Sequence, residues 1–439
     1  MKKRVPMFML YVIITTVLIY FSKRTADVFS YAGFLFDDVP QLKYGMLSVI
    51  IFVYYFLIIR RYPLGSNFGL RTLLVHILFS FMIIPMVVYS IFSSFTPQIV
   101  IGYNVAILAL DVAMCTGPVL VPKSRVRPAK FVRFLYLVFF LISIYFTFVV
   151  GIRSGVLLYI IRSGFKYDIY RVRSMFFASL SSIEGYVIGN YLIFFGPFVS
   201  ILLYNTTKQT RALGVVSYVI NVILSGNKAP ILYLVLALFV ANVNFDRVIT
   251  RRNILYLTYF CCGVIVFISG LSYMYDVPFE IYFVSMLGRR TFFTPVRIAE
   301  AYFLEFPKES PFLGFAGLFR QDAVLAGAGA GVQGALRYYI SQKYFGTSGA
   351  ANTNFIAEAY ANFGYIAIFL YSFTLGKMIR LMDFASFKMP NSIRRVFLAT
   401  SILPLLQLVN VSFTTTLMSF GLMLAFMFSI FLVDIPDNI

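Results

Sequence analysis

The chain has 439 residues, of which 60% are hydrophobic and only 12% are charged, and its mean hydropathy is +0.85. A soluble domain carries about 25% charged residues, so this composition excludes a cytosolic enzyme and a disordered chain. It is typical of a polytopic membrane protein. The charges are strongly unbalanced, since 37 Lys and Arg stand against 17 Asp and Glu, for a formal net charge of +20. Because a charge in a bilayer is costly, the placement of these cations is informative.

Twelve apolar runs approach the length of about 20 residues that a membrane-spanning helix needs. They lie near 7–22, 45–59, 72–94, 98–121, 132–150, 186–204, 212–225, 229–245, 253–273, 355–377, 394–412 and 415–434. The predicted fold class is therefore all-α, with one integral membrane domain over 1–439. The runs at 212–225 and 229–245 are short, so they form either two spans or one re-entrant hairpin around SGNKAP.

Basic residues in the short loops predict the orientation of the chain, because Lys and Arg accumulate on the cytoplasmic side. With the N-terminus in the cytoplasm, every predicted inner loop holds at least two basic residues, and together these loops hold 21 of the 37. The basic N-terminal segment lacks a small-x-small cleavage site, so we expect it to be retained as the first span. Both termini are then cytoplasmic.

Two outer loops, about 151–185 and 274–354, are long and basic, and long loops escape the orientation rule. Basic residues recur among aliphatic and aromatic residues in the first of these loops, GIRSGVLLYIIRSGFKYDIYRVRS, which begins near Arg153. This pattern favours an amphipathic segment lying on the membrane surface, whose cations either reach lipid headgroups or form a pocket for an anion. Arginine is suited to such a pocket because its planar fork binds two phosphate oxygens at once.

The second long loop contains LGRRTFFTPVRIAEAYFLEF, in which Arg289 and Arg290 precede Pro295. We expect Pro295 to break this segment. Arg297 and Glu300 are three residues apart, so they share a helix face and are expected either to pair or to serve a ligand. The run GAGAG at 327–331 follows Arg320, and it predicts a flexible lid or a close backbone approach to a ligand.

The end of this loop, TSGAANTNFIAEAYANFGYIAIF, predicts a helix start with two polar residues on one face. Asn354 is placed as a capping residue, and Glu358 follows four residues later. A carboxylate that enters a membrane helix is costly unless it pairs or performs chemistry. His76 is the only histidine and lies within an apolar run, so we expect it to be a satisfied core residue rather than a catalytic base.

These observations predict a cationic cavity on the outer side of the membrane with one or two acids. Lys228, in SGNKAP, adds a cation that either contacts a phosphate or snorkels to the interface. Such a cavity suits a sugar carried on a polyprenyl pyrophosphate, because fixed cations stabilise the negative charge that develops on the leaving group. The carboxylate of an acidic residue would then act as the base that deprotonates the acceptor hydroxyl.

The chain resembles the Wzy family of bacterial O-antigen and capsule repeat-unit polymerases in its layout of about a dozen spans with two long basic periplasmic loops. NTNFIAEAYANFGYIAIF looks like the segment that enters a late span in this family, and SGNKAPILYLVL is similar to its short basic turn. An Arg-x10-Gly pattern described for such polymerases is matched by Arg153 with Gly164 and by Arg320 with Gly331.

This resemblance implies a metal-independent, inverting glycosyltransferase without a cofactor, with a glycosyltransferase-C-like helical bundle, in the bacterial inner membrane. Its expected partners are undecaprenyl-pyrophosphate-linked oligosaccharides and membrane lipids, with a chain-length regulator protein as a further candidate and no nucleic acid. Glu358 is the expected base and Asn354 is expected to position the acceptor, with Glu280 and Glu300 as reserve acids. The expected pyrophosphate ligands are Arg153, Arg289, Arg290, Arg297, Arg320 and Lys228.

Two alternative functions use the same lipid-linked substrate. An O-antigen ligase would show a His-Asn-x9-Gly motif, but Thr353 occupies the His position before Asn354 and Gly364. A flippase would show an internal repeat and charges within its spans, whereas the basic residues here are concentrated in loops.

Overall fold

The computed structural model describes residues 5–29, 34, 41–62, 69–92, 96–117, 128–164, 167–206, 208–227, 229–242, 265, 268–270, 272–273, 276–315, 317, 336–347 and 349–433. Over these residues the chain is helical and contains no strand. The helices are α1 Val5–Phe29, α2 Gln41–Leu57, α3 Leu70–Phe92, α4 Pro97–Cys115, α5 Lys130–Arg153, α6 Val156–Arg162, α7 Ile169–Ala178, α8 Ser182–Tyr204, α9 Lys208–Ser225, α10 Ala229–Asn242, α11 Phe279–Phe283, α12 Thr294–Glu305, α13 Leu336–Phe345, α14 Phe355–Ser386, α15 Asn391–Gln407, α16 Phe413–Ser419 and α17 Leu422–Phe431. The all-α class is thus confirmed for this part of the chain.

Five of these helices, α3, α4, α5, α8 and α14, are long and apolar enough to cross a membrane. The pair α16 and α17, bent by 53°, becomes a sixth if it acts as one span. The described part of α10 has 14 residues. The two alternatives for 212–245, two spans or one hairpin, stay predictions. The predicted run at 253–273 lies mostly outside the described residues.

The chain forms two compact units, each assembled from separate stretches of sequence. Unit 1 comprises 1–117, 263–379 and 408–414, and unit 2 comprises 118–262, 380–407 and 415–439. Each unit therefore depends on contacts between stretches that are far apart in the sequence.

A buried polar network holds the first four helices of unit 1 together. His76 in α3 contacts the hydroxyl of Tyr11 through Nδ1 and the carbonyl oxygen of Tyr62 through Nε2, at 2.9 Å for the latter. The Tyr62 hydroxyl donates to Asp111 of α4 at 2.8 Å, and Arg61 pairs with the same carboxylate. Both ring nitrogens of His76 are thus engaged, which confirms that it is a satisfied core residue.

Unit 2 is organised around the middle of α8, where the helix widens into π turns over Tyr191–Phe195. Tyr218 of α9 is fully buried there and donates to the carbonyl oxygen of Leu192 at 2.7 Å, a group that the widened turns leave available. The aromatic rings of Phe139, Phe195 and Phe428 pack around the same region. The long loop 151–185 contributes α6 and α7, and its predicted placement on the membrane surface stays a prediction.

The prediction that Pro295 breaks its segment is wrong. Helical backbone continues from Phe279 through π turns at Val284–Phe293 into α12, where Pro295 occupies the first turn. A proline in a first turn removes no required N–H group, and its fixed φ already suits a helix. The wide π turns before it change the hydrogen-bond register, so the segment stays continuous.

Candidate functional site

α12 carries Arg297, which forms no ion pair with a carboxylate among the described residues of unit 1. Arg297 donates from Nη1 to the hydroxyl of Tyr89 at 2.9 Å. Its Cζ lies 5.6 Å from the ring centre of Phe34 and 5.7 Å from that of Phe345, so the guanidinium is held between two aromatic faces. Its Nε is buried and makes no hydrogen bond. Arg297 is therefore a fixed cation with donor capacity to spare.

Glu300, one turn further along α12, does not form an ion pair with Arg297, so the expected pairing is wrong. Glu300 instead accepts from the backbone N–H and the hydroxyl of Thr96, both at 3.3 Å. Burial raises the pKa of Glu300, and the Thr96 N–H and the charge of Arg297 offset this only in part. The carboxyl is thus suited to exchange a proton nearer neutral pH than an ordinary glutamic acid.

Asn354 caps the N-terminus of α14, as the sequence predicts. Its side-chain oxygen accepts from the backbone N–H groups of Ile356 at 3.2 Å and Ala357 at 3.0 Å, and its Nδ2 donates to the hydroxyl of Tyr103 at 2.6 Å. The residue is fully buried. Both ends of its amide are therefore occupied by the protein, which makes it a positioning residue in this conformation rather than a ligand for an acceptor sugar.

Glu358 is buried in the first turn of α14, with 3% of its surface exposed. One carboxylate oxygen accepts from the backbone N–H of Phe413 at 2.7 Å, and the other accepts from the hydroxyl of Thr414 at 2.6 Å. Among the described residues no Lys or Arg pairs with it. The alternative of a structural Glu–Arg pair is therefore wrong there, and the 408–414 segment satisfies the carboxylate instead.

Tyr302 of α12 is influenced electrostatically both by Glu358 and by Arg337 of α13. Burial raises the pKa of Tyr302, the negative charge of Glu358 raises it further, and the positive charge of Arg337 lowers it. The backbone N–H of Ala351 donates to the carbonyl oxygen of Arg337 at 3.0 Å, which ties α13 to the segment before α14. The exposed Arg337 thus lies on a helix that is tied through its backbone to the segment before Glu358.

α14 is broken at Phe363 and Gly364, just after the turns that carry Glu358. Phe363 and Gly364 are non-helical, with φ of +64° at Gly364, and the break frees the carbonyl oxygens of the preceding turn. The backbone N–H groups of Leu313 and Gly314 fill this gap, at 2.9 Å to Ala361 O and 2.8 Å to Asn362 O. The first two turns of α14 are therefore anchored to the 311–317 segment of the long loop.

The remaining cations that were predicted to bind pyrophosphate have contacts of their own, are exposed, or lie outside the described residues. Arg289 lies with its Cζ 4.5 Å from the ring centre of Phe29, and Arg290 is exposed. Arg153 belongs to unit 2, where its Nη2 reaches both carboxylate oxygens of Glu184 at 2.9 and 2.8 Å. Arg320, Lys228 and the GAGAG run lie outside the described residues, so their roles stay predictions.

Two further acids are engaged in ion pairs. Glu280, a reserve acid, pairs with Arg24 in an exposed position. Glu305, which sequence reasoning did not single out, is fully buried and accepts from Lys343 Nζ at 2.7 Å. Neither is placed to act as a base.

Comparison with known proteins gives no match, whether to family models, to curated proteins or to solved structures.

Proposed function

We propose that this chain is a membrane-embedded glycosyltransferase of the Wzy type, which polymerises undecaprenyl-pyrophosphate-linked oligosaccharide repeat units. In this proposal it crosses the bacterial inner membrane about twelve times with both termini cytoplasmic, and the site faces the periplasm. The asymmetric distribution of basic residues in the loops supports this orientation.

The observation that carries the proposal is the buried carboxylate of Glu358, which accepts a hydrogen bond from an alcohol hydroxyl, that of Thr414. A carboxylate base makes the same bond to an acceptor sugar before it removes the proton. We propose that the acceptor hydroxyl takes the place of Thr414 while the Phe413 N–H keeps the carboxylate oriented. Glu300 is the alternative base, because among the described residues its carboxyl accepts hydrogen bonds only from Thr96 and forms no ion pair with Arg297.

The proposed reaction is a single displacement at the anomeric carbon of the donor glycan. Glu358 accepts the proton of the acceptor hydroxyl, and the oxygen forms a bond to the anomeric carbon from the face opposite the leaving group. The bond from that carbon to the pyrophosphate oxygen breaks, and its electron pair leaves with the polyprenyl pyrophosphate. The product is a glycan longer by one repeat unit with inverted configuration.

Cations of unit 1 support the leaving group in this proposal. Arg297 is held by Tyr89 and two aromatic rings and its Nε makes no hydrogen bond, and Arg337 is exposed. A guanidinium aimed at the charge that develops in the transition state is commonly worth a factor of ~10²–10³ in rate. Arg289, Arg290 and Arg320 stay predicted additional ligands. Arg153 and Lys228 belong to unit 2, so their predicted role in pyrophosphate binding is not part of this proposal.

The test is an assay of purified protein with one native lipid-linked repeat unit and EDTA present. The proposal expects a ladder of glycan lengths. Glu358→Gln should remove the ladder, whereas Glu309→Gln, a matched change at an exposed acid of the long loop before α14, should leave it intact. A ladder that survives Glu358→Gln but is lost in Glu300→Gln would assign the base to Glu300. No ladder from intact protein would refute the polymerase.

A gene deletion separates the proposal from its alternatives. Loss of a polymerase should leave surface glycans with a single repeat unit. Loss of a ligase should leave polymer on the lipid carrier, and loss of a flippase should trap repeat units in the cytoplasm. Either of the last two outcomes would overturn the proposal.

A further inference from the structure

Unit 2 contains a lateral groove of about 450 Å³ between α5, α8 and the bent pair α16–α17. Its walls are almost entirely apolar, and include Val138 and Ile142 of α5, Val187 and Phe195 of α8, and Met427 of α17. Leu141 lies on the same helix outside the groove and is 56% exposed. The groove therefore opens on a side of the unit whose exposed surface is itself apolar.

The dimensions of this lateral groove match one leaflet of a bilayer. Its α5 wall extends over twelve residues from Phe131 to Ile142, which rise about 16 Å. Half of a bilayer core is ~15 Å thick. An extended hydrocarbon chain from one leaflet thus fits along the groove, whereas a chain several times longer would extend beyond its end.

Groups in the lateral groove are suited to a flexible chain without polar atoms. The only amide there, that of Asn190, is already committed, because its Nδ2 donates to Tyr186 O at 2.9 Å and to Met418 O at 2.7 Å. Three methionines, Met418, Met423 and Met427, form much of one wall. Methionine side chains adapt to irregular apolar surfaces better than branched ones do.

A cation lies at one end of this groove. Arg153 ends α5 and reaches Glu184, in the first turn of α8, three residues before Val187. Three residues of helix rise only about 5 Å, so the guanidinium lies near the groove end formed by Ile142 and Val187. Its side chain is 45% exposed. The described residues of 151–190 contain four arginines against two acids, Asp168 and Glu184, so this stretch carries a net positive charge.

We propose that the lateral groove holds one acyl chain of an anionic phospholipid, with the headgroup phosphate at Arg153. The groove supplies the apolar contact. The Arg153 guanidinium, whose Nη2 donates to Ser179 O and Glu184 while its Nη1 makes no hydrogen bond among the described residues, selects the headgroup. This site is independent of the transferase activity proposed above.

The test uses delipidated protein in detergent, with binding of phosphatidylglycerol and of phosphatidylcholine with the same chains measured by native mass spectrometry. We expect the anionic lipid to bind at least ~10-fold more tightly, a difference of ~1.4 kcal/mol. Val138→Trp should fill the groove and weaken phosphatidylglycerol binding ~10-fold, whereas Leu141→Trp, a matched change outside it, should not. Arg153→Gln should remove the preference between the two headgroups.

Three results would overturn the proposal. They are unchanged binding in Val138→Trp, equal binding of both phospholipids by the unsubstituted protein, and stronger binding of undecaprenyl phosphate that displaces phosphatidylglycerol. If Val138→Trp does not fold, Ile142→Phe blocks the same groove with a smaller change of volume, and the same outcomes apply.

Discussion

The cluster around Glu305 is expected to control the stability of the long loop. Glu305 accepts hydrogen bonds from Ser310, from Tyr339 at 2.9 Å, from Lys343 at 2.7 Å and from Tyr344 at 3.0 Å. This one carboxylate therefore joins α12 to α13. Glu305→Ala would leave an ammonium and three hydroxyls without their acceptor.

The magnitude follows from burial of the pair. Glu305 is fully buried, and the Lys343 side chain is 35% exposed. Removal of one partner from a buried ion pair costs about 3–5 kcal/mol. Since Lys343 retains some contact with water, we expect ~3 kcal/mol, at the lower end. Glu305→Gln keeps the acceptor oxygen for the hydroxyls but not the charge for Lys343, so its cost should be smaller.

Hydrogen exchange of the amides in 336–345 measures this effect locally. A loss of ~3 kcal/mol should accelerate exchange by ~100-fold if opening of α13 limits it. Glu309→Ala, four residues away and exposed, serves as the control and should change the rate less than ~3-fold. Equal protection in Glu305→Ala and in the unsubstituted protein would refute the view that this carboxylate joins the two helices.

The same cluster predicts a dependence on pH. Burial raises the pKa of Glu305, but the hydrogen bonds led by Lys343 outweigh burial and lower it overall. A carboxyl whose pKa is lower in the folded state stabilises the protein above its unfolded pKa, ~4.3, and this contribution disappears as the pH falls through the folded value. Protection of 336–345 should therefore decrease in acid, and Glu305→Gln should abolish that decrease. An identical acid response in the two proteins would contradict the assignment.

Two further substitutions test the entry into α14, both read as the thermal midpoint of unfolding followed by circular dichroism in detergent. Asn354→Ala removes the helix cap and the partner of the buried Tyr103 hydroxyl, at a cost of ~2–4 kcal/mol. The control Asn352→Ala, at an exposed residue of the same segment, should cost little. Equal midpoints for Asn354→Ala and Asn352→Ala would contradict the capping role. Gly364→Ala places a side chain on a residue with positive φ, with its Cβ 3.1 Å from the Phe312 ring, so we expect it to lower the free energy of unfolding by more than ~1 kcal/mol. The control Gly185→Ala, where a Cβ meets nothing within 4 Å, should be neutral or stabilising. An unchanged midpoint for Gly364→Ala would show that the break tolerates a side chain.

Local sequence patterns predicted the features that depend on neighbours in the chain. Apolar runs located helices such as α3 and α5 to within a few residues in the described ranges, because burial and helix length leave a direct mark on composition. The Asn354 cap was also predictable, since a capping side chain acts on N–H groups two and three residues ahead.

Contacts between distant stretches were not predictable in this way. The partners of Glu358 are 55 and 56 residues further along the chain, and Arg297 contacts Tyr89 from 208 residues away. No spacing rule in the sequence encodes such pairs. For Glu305 a signal was present, because Tyr339 and Lys343 lie four apart on one helix face and were available to surround an acid.

The central claim is that Glu358 is the base of a polymerase, and its most direct measurement is the rate of glycan extension by purified Glu358→Gln protein with the native lipid-linked repeat unit. Because glutamine cannot accept the proton, we expect extension to fall by ~10²–10⁴-fold while the protein remains folded by circular dichroism. Extension at the unsubstituted rate by folded Glu358→Gln protein would contradict this claim.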